Sequence, residues 1–133
     1  MPKINRYVDI DQVDKEAKKD FIDRHSPFIH CESEAKAGEP FAVTVKMGNE
    51  YSHPDDFDHY IKSITLFDKE TQLTHADFVA GALGNEKGHQ TVTFHIVAHK
   101  KMKLVAHAYC TKHGIWESDP IEVKNIIKDS GLE

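Results

Sequence analysis

Cysteine is scarce in this chain. Only two occur in 133 residues, Cys31 and Cys110, and there is no CxxC pair. Two thiols are too few for a disulfide scaffold, and the missing CxxC excludes a four-thiolate zinc or iron knot. No apolar run approaches a membrane span, and the opening MPKINRYVDIDQVDKEAKKD lacks the apolar stretch of a secretory leader. A cytoplasmic protein without a membrane partner is the expectation. Basic stripes are absent too, and 17 Lys+Arg against 22 Asp+Glu leave a net charge of −5. That balance excludes nucleic acid as the main partner.

What is abundant is histidine, with ten in the chain. Imidazole is the commonest metal ligand and titrates near neutral pH, so the surplus needs an explanation. The remaining composition, 39% apolar and 29% charged, is that of a soluble globular protein. The length suits a single domain over residues 1–133 with a real core.

One helical signal is present, with Val13, Ala17 and Phe21 at i, i+4 and i+8 between Asp11 and Arg24. Asp11 is placed to cap it. Beyond Pro27 the pattern changes. EPFAVTVKMG alternates, with Phe41, Val43, Val45 and Met47 on one face and Thr44 and Lys46 on the other, as a half-buried strand does. YIKSITLF, THADFVA, QTVTFHIVA, MKLVAHAYC and PIEVKNI are further strand candidates, and glycines fall between them where turns belong. About six short strands so spaced predict an all-β fold, an immunoglobulin-like antiparallel β-sandwich with a short N-terminal helical segment. The final KDSGLE is expected to fray.

The chemistry collects in three places. In AYCTKHGIWES, Cys110 shares the apolar face of its strand with Met102, Leu104, Ala106 and Ala108, and His113 lies on the turn that Gly114 closes. Alone, C-x-x-H fits a nucleophile with its base, a metal-ligand pair, or a packed cysteine beside a surface histidine. EYSHPDDFDHY places His53 and His59 six apart; taken alone it is a polar, acidic turn. DRHSPFIHC sets His25 between the helical signal and Pro27, where a histidine is favoured by the helix dipole in any case. Together they supply four imidazoles and one thiolate from three loops.

H-x-P, H-P-x4-H and C-x-x-H-G-x-W, in that order on a β-sandwich, resemble the superoxide reductases, the family of neelaredoxin and the iron domain of desulfoferrodoxin. The likeness runs from HSPFI through GEPFAVTVKMGNEYSHP and HYIKSITLF to AYCTKHGIWES. It implies one-electron reduction of superoxide to hydrogen peroxide at a mononuclear iron held by His25, His53, His59, His113 and an axial Cys110 thiolate. It also implies a rubredoxin-like electron donor and a homo-oligomer, a tetramer by family analogy. With no extra N-terminal cysteines, the chain resembles the one-iron form. Five ligands exceed the four of a structural zinc and leave one octahedral position open. Blue copper suits less well, because no methionine follows Cys110. A papain-like pair lacks an orienting third residue. Trp116 is expected to shield the thiolate.

The first-ligand motif departs from the family's Glu-Lys-His-x-Pro. Here Asp23, Arg24, His25, Ser26 and Pro27 stand in its place. In that family the glutamate can take the sixth position of ferric iron and the lysine draws superoxide in, so Asp23 and Arg24 are the catalytic candidates. Asp23 is one methylene shorter, and Arg24 keeps the charge but does not give up a proton. Lys112 is a second candidate cation, and the run Asp55, Asp56 and Asp58 would oppose an anion unless it faces away. His30, His75, His89, His95, His99 and His107 match no motif position. The alternative reading is a metal-binding or electron-transfer sandwich without catalysis.

Overall fold

The computed structural model describes residues 18–126. One short helix, α1 (Lys19–His25), precedes nine strands: β1 (Pro27–Cys31), β2 (Glu34–Lys36), β3 (Pro40–Met47), β4 (Ile61–Asp68), β5 (Thr71–Asp77), β6 (Thr91–Val97), β7 (Met102–Cys110), β8 (Gly114–Glu117) and β9 (Ile121–Ile126). Asp11, Val13, Ala17 and the KDSGLE tail lie outside the described residues.

The strands form two sheets. One has the order β1-β3-β6; the other runs β2-β9-β7-β4-β5, with β8 also paired to β7. Pairing is antiparallel except between β2 and β9, which run parallel. This is the β-sandwich expected from the alternating segments, with three short strands beyond those read from the sequence. β2, at three residues, is too short for a period to show.

The alternation of β3 and β7 decides the core. Val43, Val45 and Met47 are fully buried, as are Leu104 and Ala106, and they pack between the sheets with Ile64, Leu66, Phe94 and Val123. Burial on this scale, with each large-to-small change costing about 2–5 kcal/mol, holds the two sheets in register. β7 therefore delivers Cys110, 1% exposed, to the end of the core rather than to solvent. β4 pairs Ile61 with Cys110, then slips register before Ser63. Such a bulge bends the strand end beside the site.

Candidate metal centre

His25 ends α1. Ser26 turns extended (φ −87, ψ 129) because Pro27 disfavours a helical predecessor. The Ser26 hydroxyl then closes the last turn by donating to Ile22 O at 2.6 Å. His25 Nδ1 lies 2.7 Å from Phe21 O. A carbonyl only accepts, so Nδ1 carries the proton and Nε2 presents its lone pair.

His53 reaches the same state by another route. Its backbone exchanges hydrogen bonds with Gly88, at 2.8 and 3.1 Å, and its Nδ1 donates to Pro54 O at 2.7 Å. Nε2 again presents its lone pair. His59 closes a tight turn whose ends, Asp56 and His59, exchange backbone bonds of 2.9 and 3.0 Å. Between β7 and β8 the chain reverses over Thr111–His113, with Gly114 at φ +82 opposite Cys110. Glycine adopts that left-handed turn without a Cβ penalty.

These segments converge. Ring centroids are 4.8 Å apart for His25–His53, 4.8 Å for His53–His59, 4.9 Å for His59–His113 and 4.7 Å for His113–His25. The four rings thus stand at the corners of a near-square, with His25 and His59 across it at 6.3 Å. Cys110 Sγ lies 3.4 Å from His53 Nε2 and 3.7 Å from His113 Nδ1, which belong to opposite corners. The sulfur therefore sits near the axis of the square. Donor atoms of His25, His53, His59 and Cys110 all fall within 4.8 Å of one another.

The electrostatics describe a site built for a cation. Burial pushes His25 down to about 3 and His53 to about 4; burial also lowers His59 and His113, with Lys112 adding to both. Neutral imidazoles with lone pairs ready are the result. Burial raises the Cys110 thiol, against backbone N–H groups of Lys112 and His113 and the Lys112 charge, which favour thiolate. Nε2 of His25 and of His59 are buried without a hydrogen-bond partner. Buried ring nitrogens without partners are costly unless a ligand satisfies them. A metal ion fits: it takes the lone pairs and displaces the thiol proton.

His25 and His53 are 1% exposed, whereas His59 and His113 are only partly buried, so the square opens to solvent along the His59–His113 edge. Two cations bear on the rings. The Arg24 charge acts on His53 and His59, and that of Lys112, exposed, on His59 and His113. Arg24 pairs with Asp20 at 3.5 Å. The carboxylate of Asp23 accepts backbone N–H bonds from Asn49, Glu50 and Tyr51 at 2.9–3.1 Å. Of the acidic run, Asp55 is buried and bonded to Leu83 and Asn85 N–H, while Asp56 and Asp58 are exposed.

Trp116 is fully buried against the imidazoles. Its ring stacks on His25 at 5.1 Å and 18°, and its Nε1–H donates to His113 O at 3.1 Å. Phe21 completes this wall, 4.6 Å from His25 and 5.0 Å from His113. Phe21 was read from the sequence only as part of the helix's apolar face, and the Pro54 and Gly88 backbone was not read at all. Helical spacing to His25 could have flagged Phe21; nothing in the sequence marks a carbonyl. The remaining histidines lie elsewhere: His30, His95 and His99 are exposed, His89 bonds Met47 O, His75 bonds Thr65 and Asp77, and His107 bonds Glu117.

The sequence matches the family described as desulfoferrodoxin over residues 12–119. It is 32% identical to the neelaredoxin of Megalodesulfovibrio gigas over 109 residues, covering 72% of this chain and 84% of the relative. It is 28% identical to the superoxide reductase of Pyrococcus furiosus, covering 73% and 86%. The solved superoxide reductase (neelaredoxin) of Ignicoccus hospitalis superposes with a TM-score of 0.64 at 30% identity, covering 77% of this chain and 81% of that one.

Proposed function

The chain belongs to the desulfoferrodoxin family and is a superoxide reductase, and on that premise we propose that His25, His53, His59, His113 and Cys110 hold its iron. The observation that carries the assignment is the near-square of four imidazoles with a sulfur near its axis. Four nitrogens and a thiolate exceed what a structural zinc uses and leave one side open, as an iron that meets a small molecule requires. Iron held there supplies the electron that superoxide takes up, cycling between ferrous and ferric.

The residues around it do the rest. Arg24 and Lys112 draw the anion toward the solvent-open edge against a net charge of −5. Arg24 supplies charge only, because a guanidinium does not deprotonate. Two protons turn reduced superoxide into hydrogen peroxide, and solvent and the Lys112 ammonium at that edge can supply them. Trp116 and Phe21 exclude water behind His25 and keep the buried side dry. The carbonyls of Phe21 and Pro54 hold two imidazoles in the donor tautomer throughout.

Each turnover draws one electron from outside, and we assign that role to a small rubredoxin-like carrier. The same reading makes the chain a single domain over residues 1–133 and a cytoplasmic protein. A reducing compartment keeps Cys31 and Cys110 unpaired, as they are here. It also makes the chain a homo-oligomer, a tetramer by likeness to one-iron members; light scattering tests this. Activity is tested by giving a known amount of superoxide to iron-loaded, pre-reduced protein. One peroxide per superoxide, with iron left oxidised until a donor is added, is expected. The yield of spontaneous dismutation, one peroxide per two superoxides, overturns the reading in favour of metal binding without turnover.

A further inference from the structure

We propose that Asp23 is a positioning residue that welds the segment carrying His25 to the segment carrying His53, and is thereby withheld from the metal. The proposal rests on the ligand assignment above. Both carboxylate oxygens are engaged: Asn49 N–H reaches each at 3.1 Å, Glu50 N–H reaches Oδ2 at 3.0 Å and Tyr51 N–H reaches Oδ2 at 2.9 Å. Successive backbone N–H groups converging on one anion make a nest. The loop can form it because Gly48 takes φ +73, a conformation that L side chains rarely adopt. A Cβ at Gly48 would lie 2.5 Å from Tyr51 O and 3.4 Å from Arg24 Cα. Gly48 N–H adds a bond to Ser26 O at 2.9 Å, so the loop grips α1 on both sides of His25.

Two residues beyond this grip comes His53. Asp55 repeats the device on its far side, its Oδ2 accepting from Leu83 N–H at 2.8 Å and Asn85 N–H at 3.0 Å. His53 is thus clamped between two carboxylate-bound loops. To approach the metal, the Asp23 carboxylate would have to release all of these N–H groups together. A side chain one methylene longer is not bound by the same geometry. The shorter residue therefore exchanges ligation for rigidity, and the open position stays free of the chain's own carboxylate.

The test compares Asp23→Asn, which keeps the shape, and Asp23→Ala with the parent in the iron-loaded protein. Amide exchange by mass spectrometry over residues 49–51 is read first, then the thiolate-to-iron absorption band of the oxidised form. Exchange at that loop should quicken by about tenfold or more in Asp23→Ala, the loss of at least one charge-assisted hydrogen bond, and by less in Asp23→Asn. Exchange in β3 and β7 should hold, and the Asp23→Asn band should keep its position. Unchanged exchange in both variants overturns the proposal. So does an increase spread evenly over β3 and β7, and so does a band that moves in Asp23→Asn, as removal of a ligating oxygen would make it. None of these readings uses superoxide, so an inactive protein with a quickened loop removes the activity and leaves the clamp standing.

Discussion

Two of the imidazoles are committed to one tautomer by carbonyls, those of Phe21 and Pro54, before any metal arrives. This is where single substitutions speak most clearly. Arg24→Ala removes a charge that bears on His53 and His59. We expect its rate with superoxide to fall by about two- to tenfold at low salt, and its ionic-strength dependence to flatten. Pulse radiolysis across a salt series reads both effects; an unchanged, equally salt-sensitive rate would sink the steering role. Lys112→Ala should act in the same direction, because its charge bears on His59 and His113 at the open edge. Trp116→Phe deletes the donor to His113 O while leaving a ring against His25. A loss of about 1 kcal/mol in denaturant unfolding is expected, the worth of one hydrogen bond. Faster iron release to a chelator should accompany it.

Elements act by bringing their ends together. α1 ends at His25, β7 at Cys110, and the β7–β8 turn holds His113, so three ligands mark boundaries rather than middles of regular structure. Boundaries are where side chains escape the packed faces and can converge. Gly48→Ala tests one such boundary. The positive φ and the 2.5 Å approach to Tyr51 O leave no room for a methyl group. The loop must shift, with a cost of about 1–3 kcal/mol. Calorimetry should show a lower Tm, and metal affinity should drop with it, whereas Gly84→Ala, with nothing within 4 Å, pays only for its positive φ. The strand segments were legible where they alternate over several residues, as in β3, β6 and β7. THADFVA was placed too far along: β5 spans Thr71–Asp77, its exposed edge position blurring the period. β1 and β8 are short and take their strand character from partners, β3 and β7, that lie far away or across a turn.

At the scale of the whole molecule, the site is a store of buried neutral histidines, and the metal-free fold should answer to acid. His25 at about 3 and His53 at about 4 lie below their unfolded value near 6.5. Between those limits the unfolded chain binds the protons that the folded chain refuses. Stability is therefore intact above pH 6.5 and declines as pH falls, by about 1.4 kcal/mol per pH unit for each histidine. Denaturant titrations of metal-free protein from pH 7 to 4 should show this slope, and a flat profile would contradict the burial that causes it. Iron-loaded protein should resist until the ligands protonate and the metal leaves, since binding to the folded state adds to its stability. The sequence by itself determined the alternating strands, the sandwich class and the residue types offered to a metal, because periodicity and ligand chemistry are local properties. Only the tertiary structure decided that the four rings form a near-square about one sulfur, that Trp116 backs His25, and that the Asp23 carboxylate is spent on the Asn49–Tyr51 backbone. Those outcomes depend on where separate loops meet in space, and no local pattern encodes that distance.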